Sequence, residues 1–428
     1  MNRKKFFKHR ITPIVLFTLF SVGLAAQDTI QFTWEIVAED VNKEKRVSIL
    51  ATQGEDLTVD WGDGTIETKT NTDTLDLDIL NHVYTLTGEY TVTIAGSQTN
   101  QFIYFECFSF DGLRPNNRIN SLTLTSSTLI GINCRGNQLT SLDLSGCPAF
   151  KGLICEDNQL TNLDVSVCPD LVELHCGNNQ LTHLNVSGCI ALRELWCEEN
   201  QLTNLYITSP VLWILQCQDN QLASLDISSC LDLQVLYCFN NQLLLSDLLA
   251  VSENMSNLAL PGRLGTQNLL PQTGRVGQEL FADQSVFNGI FTEYAVTKND
   301  SSATNPDDYT VVDGKLTFNT VGNYIVTMTN SAIISSTSYP AKVIIEMDVN
   351  PVGIVENALQ KSVIYPNPTR DKVYIKTENG TVSEVKLYSI NGRLLQHVRS
   401  TEIDLSGYAT GIYLLQIDGE TKEKLIVY

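Results

Sequence analysis

The chain has 428 residues, with 28 Lys and Arg against 48 Asp and Glu, so its formal net charge is −20. That acidity argues against unaided binding of nucleic acid, which requires a positive face that displaces counterions from phosphates. A hydrophobic fraction of 43% is typical of globular protein, and the length leaves room for several domains. The eleven cysteines are too sparse for a disulfide scaffold, and their odd number prevents complete internal pairing.

Residues 1–26 have the order of a secretory signal. A basic start that includes Lys4 and Arg10 precedes an apolar stretch from Ile11 to Leu24 and the small residues Ala25 and Ala26. An uncleaved membrane anchor is the alternative, but the stretch is shorter than the roughly 20 apolar residues that a bilayer core requires. We therefore expect a cleaved signal and no transmembrane span in the mature chain.

Short runs that alternate apolar and polar residues between 32 and 96 predict an antiparallel β-sandwich. Three sequence motifs follow one another in this region: WGDGT at 61–65, HVY at 82–84 and GEYTV at 88–92. In this order they resemble a PKD-like domain, which we place at residues 27–110. The resemblance implies a fold and says little about function.

The middle of the chain repeats one unit six times. The copies read CRGNQLT, CEDNQLT, CGNNQLT, CEENQLT, CQDNQLA and CFNNQLL, and their asparagines are 21 residues apart except for one step of 20. With Leu171 and Leu174 eight and five residues before Asn179, as one example, the pattern L-x-x-L-x-C-x-x-N-Q-L-T resembles a leucine-rich repeat. The resemblance implies a solenoid of 21-residue coils with end caps, over residues 113–260.

The repeat also has a physical meaning of its own. One coil cannot bury its apolar face, whereas stacked coils share a continuous core. We expect the leucines and cysteines to point inward from short parallel strands, and each asparagine amide to satisfy backbone groups at the buried turn. We expect residues 117–124 to form an entry coil, 243–260 a capping coil and 262–272 a linker.

Ten cysteines fall into two ladders, and Cys107 stands outside both. Packed thiols, adventitious disulfides and metal sites are the three interpretations. Equivalent atoms of adjacent coils lie about 4.8 Å apart, whereas a disulfide prefers Cβ atoms at about 3.8 Å, so packed thiols are favoured. Pro210 is expected to replace a cysteine of the second ladder in the coil that is one residue short. The first ladder comprises Cys134, Cys155, Cys176, Cys197, Cys217 and Cys238, and the second Cys147, Cys168, Cys189 and Cys230.

Alternating runs return at residues 261–350. The word GNYIVTM at 322–328, followed by a strand-like run at 341–347, resembles an immunoglobulin-like or bacterial surface β-sandwich. Residues 351–361 are expected to link it to the tail.

The tail, residues 362–428, carries YPNPT at 365–369, NGRLL at 391–395 and GIYLL at 411–415. It resembles the C-terminal sorting domain of the type IX secretion system of Bacteroidetes. The resemblance implies a small β-sandwich, the secretion machinery as a partner, cleavage on export, and a product that is secreted or attached to the outer-membrane surface. The terminal LIVY departs from the pattern by lacking a second basic residue. The motif residues are Tyr365, Pro366, Asn367, Pro368, Gly392, Gly411 and Tyr413.

The sequence shows no recognised catalytic or nucleotide-binding motif, such as HExxH, GxSxG or a phosphate-binding loop. None of the five histidines has an acid and a nucleophile beside it. Asp60 and Asp63 offer carboxylates for calcium, but a tight turn that needs Asp and Gly explains them better. We predict no enzyme activity, no cofactor and no metal.

The strand positions between the inward-facing residues supply the candidate binding site. They are expected to line a concave face with an exposed apolar centre and an acidic border, which favours a protein ligand, basic by charge complementarity. The alternative is that these side chains merely cover the sheet. The candidate residues are Ile154, His175, Glu194, Trp196, Glu198, Ile214, Tyr237 and Phe239, and the border adds Glu156, Asp157, Glu173 and Glu199.

The sequence thus predicts a mainly β, multidomain protein in which a leucine-rich repeat solenoid lies between β-sandwiches. Its predicted function is non-enzymatic recognition or adhesion at the cell surface. Two alternatives remain: a carbohydrate-binding accessory protein that stacks aromatic rings on sugars, and an enzyme whose site is unrecognised.

Overall fold

A computed structural model describes most of the chain: residues 28–52, 56–70, 77–96, 102–107, 118–255, 262–299, 301–351, 363–365, 372–376, 384–389, 393–417 and 423–427. The signal expected at 1–26 lies outside these residues. The chain divides into two compact units, residues 1–350 and 351–428. Both are built mainly of β-strands, as predicted.

The first unit opens with two sheets of alternating strands that bury Phe32, Trp34 and Trp61 completely. One sheet has the order β4-β3-β6-β1-β8, and the other begins β5-β2-β7. A PKD-like identity for this sandwich stays a prediction. The strands are β1 (Thr29–Ile36), β2 (Glu44–Ala51), β3 (Asp56–Asp60), β4 (Ile66–Thr70), β5 (Asp78–Val83), β6 (Gly88–Gly96), β7 (Phe102–Glu106) and β8 (Ile119–Thr125).

The second of these sheets continues directly into the repeats. Six three-residue strands pair in parallel, one per coil, and the first of them pairs in parallel with β7. The result is a nine-stranded sheet, and one buried apolar cluster extends from Ile30 to Val349. Sandwich and solenoid therefore share a sheet and a core. The strands are β9 (Gly131–Asn133), β10 (Gly152–Ile154), β11 (Glu173–His175), β12 (Glu194–Trp196), β13 (Ile214–Gln216) and β14 (Val235–Tyr237).

Each repeat asparagine joins two coils, which confirms its expected role. Asn179 Nδ2 donates to the carbonyl oxygens of Cys155 and Cys176, at 3.0 and 3.1 Å. Its Oδ1 accepts the backbone N–H of Leu160 at 3.0 Å. The same three bonds recur at Asn158, Asn200, Asn220 and Asn241. The leucines and cysteines face inward and are buried, also as expected.

The stack of coils begins before the first copy of the repeat motif. Cys107 was expected to stand outside, which is wrong: its N–H donates to the carbonyl of Asn133, and its own carbonyl accepts Asn137 Nδ2 at 3.2 Å, as a first rung would. Ile119 then bonds to Asn137 and Gln138 as the next leucine would, so the expected entry coil is present and its residues also form β8.

At the other end, residues 263–268 add a rung to the solenoid, so a linker throughout 262–272 is wrong. Gln267 Nε2 donates to the carbonyl oxygens of Cys238 and Leu264, at 3.1 and 2.7 Å. Its Oε1 accepts the N–H of Asn241 at 3.2 Å. Leu264 and Gln267 therefore take the places of cysteine and asparagine in a final rung.

The second cysteine ladder is interrupted by Ser209, and the assignment of Pro210 to that place is wrong. Ser209 is 1% exposed, and its Oγ donates to the carbonyls of Ile190 and Leu192, at 3.0 and 2.7 Å. Its carbonyl accepts the N–H of Leu212, as that of Cys189 accepts Leu192. The Ser209 hydroxyl thus occupies the place of a thiol in this ladder.

All eleven cysteines are buried free thiols. Burial raises the pKa of Cys134 and of Cys238 to about 12, and that of Cys168 to about 11. The thiols are therefore neutral, and they pack as small apolar groups.

After the last repeat an α-helix, α1 (Leu245–Asn254), begins where Asp247 accepts the N–H of Leu244 at 3.1 Å. A second sandwich follows, with a main sheet in the order β15-β25-β24-β20-β21, to which β16 is added, and a smaller sheet β17-β23-β22. A short 3₁₀-helix spans Ala282–Gln284. The strands are β15 (Thr266–Asn268), β16 (Gln272–Arg275), β17 (Glu279–Leu280), β18 (Val286–Phe287), β19 (Ile290–Phe291), β20 (Glu293–Lys298), β21 (Ser301–Ser302), β22 (Tyr309–Val312), β23 (Lys315–Phe318), β24 (Gly322–Thr329) and β25 (Lys342–Asn350).

The second unit has two sheets, β26-β27-β30 and β29-β28-β31-β32, around a core of its own that includes Val385 and Leu415. Tyr365 ends β26, and Gly411 and Tyr413 lie on β31, where the Tyr413 hydroxyl donates to the carbonyl of Ala409 at 2.7 Å. Pro366, Asn367, Pro368 and Gly392 lie outside the described residues. The strands are β26 (Val363–Tyr365), β27 (Lys372–Lys376), β28 (Val385–Ser389), β29 (Leu394–Val398), β30 (Glu402–Asp404), β31 (Gly411–Ile417) and β32 (Glu423–Val427).

Candidate functional site

The parallel strands align the predicted site residues in columns. His175 pairs with Trp196, and Glu173 with Glu194. We call the outward-facing side of β9–β14, together with the residue after each cysteine, the strand face. Three columns make it up: Gly131, Gly152, Glu173, Glu194, Ile214 and Val235; Asn133, Ile154, His175, Trp196, Gln216 and Tyr237; and Arg135, Glu156, Gly177, Glu198, Gln218 and Phe239.

At the centre of the strand face, His175 lies flat on Trp196. Their ring centroids are 4.0 Å apart and their planes differ by 7°. His175 Nε2 lies 3.8 Å from Glu194 Oε2, and the side chain of Glu194 is almost completely buried. The site thus places an imidazole between an indole ring and a carboxylate.

Glu198 follows Trp196 by two residues and belongs to the next column of the strand face. A Cβ at Gly177 would come within 2.8 Å of the Glu198 carboxyl carbon, so the glycine leaves the room that this side chain occupies. Burial raises the pKa of Glu198 to about 7, and the Glu156 carboxylate adds to the effect. Glu198 is therefore protonated in part of the population near neutral pH.

Arg135 partly neutralises the acidic border. Its guanidinium contacts Glu156 at 2.7 Å and Asp157 at 2.6 Å. Asn178 Nδ2 donates to the second oxygen of Asp157 at 2.8 Å. These contacts hold Glu156 and Asp157 in place, whereas Glu199 is exposed.

The aromatic residues at the end of the strand face contact the second sandwich. The Arg263 guanidinium lies over the ring of Tyr237, at 4.2 Å, and over that of Tyr339, at 5.0 Å. Phe239 stacks on Tyr339 with a centroid distance of 5.0 Å. Tyr237 and Phe239 therefore belong to an intramolecular junction, in which Arg263 and Tyr339 were not foreseen.

The expected exposed apolar centre is wrong. Ile154 and His175 are 7% and 8% exposed and Glu194 is fully buried, while the five other candidates are half-buried: Trp196, Glu198, Ile214, Tyr237 and Phe239. The rings stack on one another and on Arg263 and Tyr339, and so remove one another from solvent. Of the acidic side chains, Glu199 is exposed, and Glu173 and Glu198 keep partial exposure.

Asp60 and Asp63 make the turn contacts expected of them. Asp60 Oδ1 accepts the N–H of Gly62 at 2.9 Å, and Asp63 Oδ1 that of Thr65 at 3.0 Å. Asp63 Oδ2 contacts His82 Nε2 at 2.7 Å. Within the described residues there is no cluster of His, Cys, Asp and Glu suited to a metal ion, and no helix long and apolar enough to cross a membrane.

A second surface was not foreseen at all. Trp213, 39% exposed, lies in an open groove of about 570 Å³ beside the shortened coil. Its lining is completed by Arg193, Val211, Leu231, Asp232 and Gln234. A signal for it was present in the sequence: Trp213 follows the one position at which the repeat loses a residue.

Residues 363–428 match the family model described as a secretion system C-terminal sorting domain. This agrees with the type IX resemblance of the tail. The chain is therefore an exported protein, either secreted or attached to the outer-membrane surface. Its exported part carries a leucine-rich repeat solenoid within a mainly β, multidomain fold.

Solved structures similar to the chain include internalins of Listeria monocytogenes. InlF is 22% identical over 33% of this chain and 42% of its own, with a TM-score of 0.29. The functional domain of InlJ, described as including a cysteine ladder, is 15% identical over 55% and 66%, with a TM-score of 0.24. The secreted internalin-like protein Lmo2445 is 14% identical over 53% and 77%, with a TM-score of 0.34.

The chain thus spans less than half of InlF and about two thirds of InlJ. These similarities say nothing about what it binds. No curated protein shows significant sequence similarity to it.

Proposed function

We propose that the exported chain is a non-enzymatic recognition or adhesion protein that binds a basic partner protein through its strand face. The observation that carries the proposal is the acidic surface around Glu173 and Glu199, which keep part of their side chains accessible on neighbouring coils. A partner that supplies positive charge complements this surface.

Hydrogen bonding supports a donor-rich partner. Within the described residues, Glu198 Oε2 and Gln218 Oε1 accept no hydrogen bond. A partner arginine that reached these acceptors would bring five N–H donors to them. The carbohydrate alternative is less favoured on this face, because His175, Tyr237 and Phe239 already stack on protein groups.

The test uses the exported chain as bait for proteins from bacterial and host surfaces, followed by measurement of the affinity of each purified candidate. We expect affinity to fall with ionic strength, and to fall about tenfold in a double variant, Glu173→Gln with Glu199→Gln. Glu279→Gln with Glu346→Gln, on the second sandwich, is the matched control.

Equal affinity of the two double variants and of the native chain would contradict the proposal. Hydrolytic activity of the purified chain towards peptides or glycans would overturn its non-enzymatic part.

A further inference from the structure

The groove around Trp213 lies beside the shortened coil. In the complete coils an Asx turn precedes the second ladder: Asp164 Oδ1, for example, accepts the N–H of Ser166 at 2.9 Å, and Asn185 Oδ1 that of Ser187 at 3.1 Å. The shortened coil has Tyr206 at the Asx position. From Ser209 to Trp213 the backbone again makes the bonds of the complete coils: the N–H of Trp213 donates to the carbonyl of Arg193, as that of Arg193 does to the carbonyl of Val172.

A hydrogen bond between coils marks the change. The N–H of Asp232 donates to the carbonyl of Pro210 at 3.1 Å, whereas residues two positions after Cys168 and Cys189 make no such bond among those of the described coils. The groove opens beside this contact. Its wall on one side is Arg193, from the preceding coil, and on the other Leu231, Asp232 and Gln234, from the following coil.

The groove is lined by both apolar and polar side chains. Trp213 and Leu231 are 39% and 78% exposed, and Val211 is half-buried. Arg193, Asp232 and Gln234 are exposed and offer a guanidinium, a carboxylate and an amide. Each of these three groups has planar hydrogen-bonding geometry.

We propose that this groove binds a neutral oligosaccharide, with one sugar ring against the indole of Trp213 and its hydroxyl groups bonded to Arg193, Asp232 and Gln234. A sugar ring has an apolar C–H face, which suits an exposed aromatic platform, and an edge of hydroxyls that both donate and accept. The proposal is independent of the protein partner assigned to the strand face.

The charge and the volume of the groove favour a neutral oligosaccharide. Arg193 and Asp232 contribute one positive and one negative charge to the lining, so the lining has no net charge to attract an anionic or cationic chain. Its volume of about 570 Å³ lies in the range of small-ligand sites, about 300–1,000 Å³, and is small for a folded partner.

The experiment exposes the exported chain to immobilised neutral oligosaccharides built on glucose, xylose, mannose, galactose and N-acetylglucosamine, with sulfated and uronic-acid chains and a peptide library alongside. Trp34 and Trp61 are completely buried, and Trp196 is half-buried, so a sugar-induced change in tryptophan emission reports chiefly on Trp213. We expect at least one neutral oligosaccharide to bind and to change this emission.

Trp213→Ala should weaken that binding about tenfold, as the loss of one aromatic platform implies. Tyr206→Ala, which removes a 70% exposed ring outside the groove, is the matched control and should leave it unchanged. If Trp213→Ala fails to fold, Gln234→Ala replaces it, because its side chain is exposed. The proposal is overturned if no neutral sugar binds, or if only charged chains or peptides bind. It is also overturned if the groove variants leave sugar binding unchanged.

Discussion

Asn179 shows how one side chain joins two coils, because it bonds four backbone groups. Asn179→Ala leaves these buried groups without partners, and each costs about 1–3 kcal/mol. We expect the free energy of unfolding to fall by about 3 kcal/mol or more, measured by urea denaturation. Asn204→Ala, at an exposed asparagine whose amide contacts only Thr203 among the described residues, should change it by less than about 0.5 kcal/mol. A similar small effect at Asn179 would contradict this account of the ladder.

Glu198 makes stability depend on pH. Burial raises its pKa from 4.5 to about 7, so the folded state binds this proton more tightly than the unfolded state does. Stability from this group is therefore complete below about pH 4.5 and is lost as pH rises to about 7. Glu198→Gln removes the loss, and we expect it to stabilise the chain at pH 8 by about 1–2 kcal/mol and to have little effect at pH 4.5.

Denaturation midpoints at the two pH values test this prediction. Glu199→Gln is the control, because Glu199 is exposed beside the same strand. The prediction fails if Glu198→Gln has the same effect at both pH values, or if the control reproduces the change.

At the scale of the element, the cysteine ladders behave as packing positions. Their pKa values are raised by burial, to about 12 at Cys134 and about 11 at Cys147, and a neutral buried thiol is a poor nucleophile. We expect no alkylation of the ladder cysteines by iodoacetamide in the folded chain at pH 8, and complete alkylation in urea. Mass spectrometry of the peptides measures both. Rapid labelling of Cys155 or Cys176 in the folded chain, or a disulfide between them, would contradict it.

Sequence predicts an element when the residues that form it stand close together in the chain. The coils and the asparagine bonds were predictable, because the residues that form them recur in every repeat. Cys107, Gln267 and Ser209 were missed, because they occupy rungs without carrying the motif, and only hydrogen bonds to neighbouring coils reveal them. The exposure of the strand face was mispredicted for the same reason: Tyr339 covers Phe239 from a position 100 residues away.

At the scale of the whole molecule, residues 1–350 form one unit in which sheets and core pass from sandwich to solenoid without a break. The final rung ties the solenoid to the second sandwich as well. Gly265 donates its N–H to the carbonyl of Tyr339 and accepts that of Lys342, both at 3.1 Å. In a stack whose stability is a sum of neighbouring interfaces, such end contacts decide whether the parts unfold together.

Arg263 is the side chain through which this coupling is most directly tested, because it lies between Tyr237 and Tyr339. Arg263→Ala removes two cation–π contacts of about 0.5–2 kcal/mol each and uncovers both rings. We expect residues 28–350 to unfold in one calorimetric transition in the native chain and in two transitions in Arg263→Ala. Arg275→Ala, an exposed arginine on β16, should leave one transition. One unchanged transition in Arg263→Ala would mean that the shared backbone bonds couple the two parts without the aromatic junction.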